Sequence, residues 1–162
     1  MKLSSFCVVL SSFFLLIGCG NDKKPEKTTT IYKDRKETSA PTQEVAEVPV
    51  MLNNKGIGPV TSVTFGEEID QDLAARGAQI FNTKCVACHK AREKFIGPPM
   101  TGIYKKRSPE WVMNIILNPA EMLEKDPVAK ALLKAYNNTM MLDQNIQEEE
   151  ARAMAEWFRT LE

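Results

Sequence analysis

The chain has 162 residues, of which 43% are hydrophobic, and its 21 basic and 21 acidic residues give a formal net charge of zero. This length allows one globular domain with appendages, and the composition is that of an ordinary soluble fold. The part after Gly66 carries a slight acidic excess, so electrostatic binding of nucleic acid is not expected.

The chain begins with a short apolar segment typical of exported proteins. Residues 1–18 contain one lysine and a stretch rich in Phe, Leu, Val and Ser, and Cys19 follows directly. The segment is shorter than the roughly 20 residues that span a bilayer. It resembles a bacterial lipoprotein signal peptide, which implies that Cys19 becomes the lipidated first residue of the mature protein. An uncleaved membrane anchor is the alternative, and both would hold the domain at the periplasmic side of a bacterial membrane.

Residues 19–66 are predicted to form a tether. The sequence from 20 to 50 is rich in Thr, Lys, Glu and Pro, and Tyr32 is its sole aromatic residue. Such a segment buries too little apolar surface to offset the entropy lost on folding, so we expect it to be flexible and disordered. Residues 60–65 alternate in hydrophobicity and are expected to lie along the domain as an extended arm. The domain itself is predicted over residues 67–162.

The first helix of the domain is predicted over residues 70–84. Its apolar face contains Leu73, Gly77, Ile80 and Phe81 at helical spacing. Glycine inside a helix costs about 1 kcal/mol relative to alanine, so a packing reason is expected for Gly77. Without a side chain at this position, a second helix can approach closely.

The motif Cys85-Val86-Ala87-Cys88-His89 follows this helix without a break. Two cysteines two residues apart, followed at once by histidine, are typical of covalent attachment of one c-type haem. On one helical turn the two thiols can take up the two vinyl groups as thioethers, and the next residue lies under the iron. His89 is the sole histidine of the chain, so an imidazole ligand from this chain has to be His89.

Other uses of a CxxC pair fit the sequence less well. A structural zinc site needs four Cys or His ligands, and the sequence after Cys19 offers three. A thioredoxin-like redox pair is expected near a strand-helix-strand pattern, whereas helical periodicity flanks this motif. If Cys7 leaves with the signal peptide and Cys19 takes lipid, then Cys85 and Cys88 remain for the haem and no cysteine is left for a disulfide.

Four further helices are predicted, over residues 109–117, 119–124, 127–136 and from about 147. The first three each begin with proline after Ser108, Asn118 or Asp126. Such a residue can cap the helix, and proline suits the first helical position. The last helix has three glutamates in its first turn, where they interact favourably with the helix dipole. Gln147 is a weak cap for it, and Asn145 is the alternative.

From residue 70 to the end, the sequence resembles a class I cytochrome c. In that family the first helix carries a glycine and, one turn later, an aromatic residue, which an aromatic residue of the last helix crosses. Gly77, Phe81 and Trp157 match these positions. The resemblance implies an all-α fold in which short helices wrap around one covalent haem. Trp111 is predicted to be a core residue, and contact with the haem edge is the alternative.

The resemblance also implies the ligands of the iron. Gly97-Pro98 matches the family's Gly-Pro segment, in which the proline carbonyl accepts the Nδ1 proton of the ligating histidine. The sixth ligand is expected to be a methionine shortly before the last helix, and Met140 and Met141 both qualify. Counting back from the acidic turn of that helix favours Met141, although Leu142 stands where the family has proline.

The other methionines of this region are predicted not to bind the iron. Met100 follows the haem motif so closely that it lies near the histidine side. Met122 and Met154 fall inside helices, where methionine usually packs in the core.

The function expected from these features is that of an electron carrier without a small-molecule substrate. It would carry single electrons between donor and acceptor proteins of a respiratory chain, such as an oxidase, a reductase or a dehydrogenase. Two alternatives are a haem enzyme that activates peroxide or another small ligand at an open axial position, and a docking or sensor lipoprotein with a structural haem. Docking is predicted to use basic residues near the motif, with a solvated face as the alternative: Lys84, Lys90, Arg92 and Lys94, extended by Lys105, Lys106 and Arg107.

Overall fold

Five α-helices form the folded part of the chain in the computed structural model, which describes residues 47–162. They are α1 (Gln71–Lys84), α2 (Pro109–Leu117), α3 (Pro119–Lys125), α4 (Pro127–Ala135) and α5 (Glu148–Arg159), with a 3₁₀ turn at Ile103–Lys105. Within the described range there is no β-sheet, only an isolated bridge between Met51 and Arg107. The predicted all-α architecture is confirmed, and each helix boundary differs from its predicted place by at most one residue.

The amino-terminal predictions concern residues that the structure does not describe. The signal peptide over residues 1–18, the lipidated Cys19 and the tether as far as residue 46 lie outside the described range. They therefore stay predictions. Between residues 47 and 162, no helix has both the length and the apolar character needed to cross a membrane.

Side-chain caps set the start of two of the short helices. Ser108 Oγ accepts a hydrogen bond from the N–H of Trp111 at 3.1 Å, which begins α2. Asp126 Oδ1 accepts from the first N–H groups of α4, those of Val128 and Ala129, at 3.0 and 2.8 Å. Asn118 precedes α3 without making a side-chain cap. Proline at the first position, common to all three helices, therefore marks their starts more consistently than the cap does.

Helices α1 and α5 cross at Gly77, where their backbones come into contact. A β-carbon at Gly77 would overlap the carbonyl group of Ala153 in α5. One turn further along α1, the buried ring of Phe81 lies 4.8 Å from that of Trp157 and 6.3 Å from that of Phe158. The close approach of a second helix is thus the packing reason expected for this glycine.

An extended arm, residues 47–66, lies against α2 and is held there by a buried asparagine. Asn114 is 1% exposed, and its Oδ1 accepts from the N–H of Val60 at 3.0 Å. Its Nδ2 donates to the carbonyl groups of Lys55 and Val60 at 2.9 and 2.8 Å. The folded part therefore extends upstream of residue 67, where the sequence analysis placed the start of the domain, because an asparagine far along the chain satisfies the backbone of the arm.

The end of the arm meets α1 and α5 at Glu156, which is also buried. Its carboxylate accepts from the N–H of Asp70 at 3.1 Å, from Arg152 at 2.7 Å and from Arg159. Burial acts to raise the pKa of Glu156, but these hydrogen bonds outweigh it and hold the pKa below its ordinary value. Both guanidinium groups also lie over the ring of Phe65, at 4.9 and 4.8 Å from its centroid. One ionised carboxylate thus joins three elements.

Replacing Asn114 with alanine should lower the free energy of unfolding by about 2–4 kcal/mol, because several buried backbone groups of the arm lose their only partner. Denaturant unfolding of the haem-loaded protein measures this loss. Asn53→Ala is the matched control, since Asn53 is exposed and its removal should change stability by no more than about 0.5 kcal/mol. Equal losses in the two variants would show that Asn114 does not hold the arm.

Candidate functional site

The helices surround a cavity whose lining is mainly apolar. Four parts of the chain contribute to it: the motif and the loop after it, the inner faces of α2 to α4, the segment before α5, and side chains of the crossing helices α1 and α5. The lining residues that matter for its chemistry are Cys85, Cys88, His89, Pro98, Trp111, Met140 and Met141. The structure thus places all the predicted haem-binding residues of this region around one cavity.

The end of α1 brings the motif to the cavity. The N–H of Cys85 donates to the carbonyl of Phe81 at 2.9 Å and so continues the helical hydrogen bonding. The N–H groups of Cys88 and His89 then both donate to the carbonyl of Cys85, at 3.1 and 2.9 Å, and close a tight turn. Burial raises the pKa of the Cys85 thiol, which Lys84 partly counteracts. An uncharged sulfur therefore suits this position, as in a thioether.

His89 is oriented by the loop that follows it. Its Nδ1 lies 3.0 Å from the carbonyl oxygen of Pro98. Because a carbonyl can only accept, Nδ1 carries the proton and Nε2 keeps a lone pair for a metal. This is the contact that the resemblance implied for Pro98.

Gly97 has a role at the site that sequence reasoning missed. A β-carbon at this position would overlap the ring of His89. Its N–H also donates to the carbonyl of Cys88 at 2.8 Å, which ties the loop to the motif. The signal that could have revealed this role is a glycine directly before the proline acceptor, because only a residue without a β-carbon leaves room there for the ring.

The segment between α4 and α5 carries the two candidate methionines. Asn137 and Asn138 have φ angles of 58° and 55° at its start, and Asn145 has 51° near its end. Asparagine tolerates this left-handed region better than most residues, so the three positions fix the course of the segment. Met141 is half-buried and packs against the core, whereas Met140 is 60% exposed.

Four further methionines, Met100, Met113, Met122 and Met154, are buried, whereas Met51 of the arm is 41% exposed. Met122 and Met154 have no exposed surface and belong to the core, as predicted for methionines inside helices. Met100 lines the cavity, and its N–H donates to the carbonyl of Ala91 at 3.0 Å. Its backbone is thus tied to the loop that follows His89.

The donor set suits iron that is already held in a porphyrin. Among residues 47–162, no group of three or more His, Cys, Asp or Glu side chains could hold a metal ion by itself. What the cavity offers is two thiols at thioether spacing, one oriented imidazole and apolar walls. These features fit a c-type haem.

The predicted basic surface is altered by local contacts. Lys84 forms a salt bridge of 3.3 Å with Glu150, which partly neutralises its charge. Lys90 and Lys94 keep their ammonium groups near aromatic rings. Arg107 is 5% exposed, so its inclusion in this surface was wrong. Its guanidinium lies over the ring of Trp111, and burial there removes it from contact with a partner.

Apolar side chains are exposed beside the basic residues. Phe95 and Ile96 of the loop, and Met140 and Leu142 of the segment before α5, all have more than two fifths of their surface exposed. Three of them, all except Phe95, also line the cavity. A mixed apolar and basic area therefore borders the site.

Comparison with known proteins gives a consistent result. The family model described as cytochrome c matches residues 74–162, which is more than half of the chain. The solved cytochrome c from Rhodothermus marinus is 47% identical with a TM-score of 0.62, and the match covers 64% of this chain and 89% of that one. An engineered form of that protein is 46% identical, with a TM-score of 0.61 and coverages of 64% and 90%.

A third solved structure is an engineered cytochrome c from Rhodothermus marinus that is described as bound to a carbene intermediate. It is 44% identical with a TM-score of 0.59, and the match covers 64% of this chain and 89% of that one. Among curated proteins, none matches the chain.

Gly97→Ala should lower the yield of haem-loaded protein several-fold and change its absorption spectrum, because the added β-carbon displaces the ring of His89. Haem per polypeptide is measured on protein matured in an export-competent host. Gly66→Ala is the control, since a β-carbon there meets only the carbonyl of Glu68 at an ordinary 3.4 Å. If both variants load haem as the wild type does and keep its spectrum, Gly97 is not needed beside the ring.

Proposed function

The chain belongs to the cytochrome c family, and from this premise we propose that it is a membrane-tethered, periplasmic carrier of single electrons. Its cofactor is one c-type haem, which Cys85 and Cys88 bind covalently. When bound, the haem iron gains or loses one electron at a time. Haem-based electron transfer is the function of the family, and the finer parts of the proposal concern the ligands, the location and the partners.

The proposed axial ligands are His89 and Met141. The contact between His89 Nδ1 and Pro98 supports the first, because it directs the free Nε2 lone pair to a metal. The packing of Met141 against the core supports the second, since a ligand has to point inward and the neighbouring Met140 is largely exposed. Ligation by histidine and methionine raises the reduction potential of a haem and suits it to accept electrons.

The observation that carries the electron-carrier function is that His89 and Met141 line the same apolar cavity. If each provides one axial ligand, no position on the iron is open to a substrate, and only electrons pass. The enzyme alternative requires an open position. One engineered relative is described as bound to a carbene intermediate, so this alternative is kept as an outcome of the ligand test below.

The proposed location depends on the first residues of the chain. Residues 1–18 resemble a lipoprotein signal peptide, and Cys19 stands where that class of protein is lipidated. Lipid on Cys19 would hold the haem domain at the periplasmic side of a bacterial membrane. Membrane-bound redox proteins of a respiratory chain would then be within reach as donor and acceptor.

The proposed docking surface is the mixed area beside the motif. Its basic charges are those of Lys90, Arg92 and Lys94, with the exposed carboxylate of Glu93 among them, and its apolar part includes Phe95 and Ile96. An apolar centre with a charged rim is common in protein interfaces, and the charges speed up encounter with a partner of opposite sign. We therefore propose a partner with an acidic rim around its own electron-transfer site.

Met141→Ala should abolish the sulfur-to-iron charge-transfer band, lower the reduction potential and allow added cyanide to bind the iron. Met140→Ala is the matched control and should keep all three properties of the wild type, because that side chain is exposed. Absorption spectra and redox titration of the two variants measure this difference.

The reverse pattern would assign the ligand to Met140 and leave the carrier function intact. A wild-type protein that binds cyanide readily and turns over peroxide would instead favour the enzyme alternative. Haem that leaves the polypeptide on a denaturing gel would contradict covalent attachment.

Lys90→Gln combined with Lys94→Gln should lower the rate of electron transfer to an acidic partner several-fold at low ionic strength. The difference from the wild type should shrink as salt is added, because salt screens exposed charges. Stopped-flow rates over a series of salt concentrations test this, with Lys130→Gln combined with Lys134→Gln as the control of equal charge change on the exposed side of α4. Wild-type rates that do not depend on salt would identify the basic area as a solvated face.

A further inference from the structure

Asp126 is a buried carboxylate that is hydrogen-bonded to Trp111, a residue of the cavity wall. It is 2% exposed, and its Oδ1 accepts from Trp111 Nε1 at 3.0 Å. The same oxygen accepts from the first N–H groups of α4, and Oδ2 accepts from Asn54 Nδ2 at 2.6 Å. All four partners are N–H donors, a set that suits the anionic form of a carboxylate. Trp111 itself lines the cavity.

This negative charge lacks a cation in direct contact. Within residues 47–162, Asp126 forms no salt bridge. A buried positive charge, that of Arg107, lies on the ring of the same tryptophan. Arg107 is 5% exposed, and its guanidinium is 5.4 Å from the centroid of the Trp111 ring. Arg107 instead donates to the carbonyl of Pro49 in the arm at 2.8 Å. Two buried charges of opposite sign therefore flank one tryptophan of the cavity wall.

We propose that Asp126 and Arg107 set the reduction potential of the haem through their charges. Asp126 binds the indole nitrogen of Trp111, and Arg107 lies over its ring. The inference rests on the haem-based function and goes beyond it. Oxidation adds one positive charge to the iron, and inside the protein a fixed anion stabilises that charge more strongly than it would in water. Asp126 thus lowers the potential and Arg107 raises it. Asn54 of the arm keeps the carboxylate in place by binding its second oxygen.

The direction of the shift separates this charge effect from ordinary damage to the core. A substitution that loosens the cavity admits water, and water stabilises the more highly charged oxidised haem. Damage therefore lowers the potential. Removal of the Asp126 charge has the opposite effect, because the oxidised state loses a stabilising anion. A merely structural role for Asp126 predicts lower stability without a rise in potential.

Asp126→Asn is the test variant, since asparagine has almost the same shape and also caps helices well. Redox titration of the haem-loaded protein should show a potential above that of the wild type, and Arg107→Gln should show one below it. Glu124→Gln is the control, because it removes the same charge from an exposed position two residues away. The shift in Asp126→Asn should persist at high salt, whereas any shift in the control should vanish.

A potential in Asp126→Asn that is lowered, or equal to that of Glu124→Gln, would overturn the proposal. If Asp126→Asn does not load haem, Arg107→Gln is compared with Arg107→Lys, which keeps the charge. The proposal expects a lowered potential in the first variant and a potential near that of the wild type in the second, and a fall in both variants or in neither would overturn it. If a residue other than Met141 is the sixth ligand, the potentials of the wild type and of every variant are displaced together. The differences between them remain, so the two failures can be told apart.

Discussion

The crossing of α1 and α5 at Gly77 is the contact on which the rest of the site depends. Because the backbones touch there, the last turns of α1 are held against α5 through Phe81 and Trp157. The haem motif begins where α1 ends, so the packing of α1 against α5 also fixes the position of Cys85. A salt bridge between Lys84 and Glu150 joins the two helices again at that end. The loop after the motif and the segment before α5 need then only close the cavity around a motif already in place.

Two buried polar side chains, Asn114 and Asp126, perform a similar task on the arm, and Glu156 does so at the start of α1. Each accepts or donates several hydrogen bonds, and within residues 47–162 no buried side-chain nitrogen or oxygen is left without a partner. An unpartnered polar group inside a protein costs free energy, so these side chains favour the one path of the arm that satisfies them. Apolar contacts alone would allow the arm to slide along α2.

The sequence predicted what depends on neighbouring residues and missed what depends on distant ones. Proline at the first position of three helices and the spacing within the haem motif are local signals, and both led to the right place. Residues 60–65 were expected to lie along the domain, but the arm as a whole was assigned to the tether because its partner Asn114 lies more than fifty residues further on. Arg107 was counted as a surface charge for the same reason. Met140 and Met141 are adjacent, so tertiary packing is what distinguishes the half-buried side chain from the exposed one.

Burial divides the charged residues near the haem into two groups with different effects. Lys94 and Arg92 are exposed, so solvent and salt screen them, and the proposed role for them is in the encounter with a partner protein. Asp126 and Arg107 lie inside, where screening is weak, and the proposed effect of their charges is on the energy of the iron itself. The arm contacts both members of the buried pair, through Asn54 and Pro49. If both proposals hold, partner recognition and reduction potential depend on separate residues, and surface substitutions should change the first without changing the second.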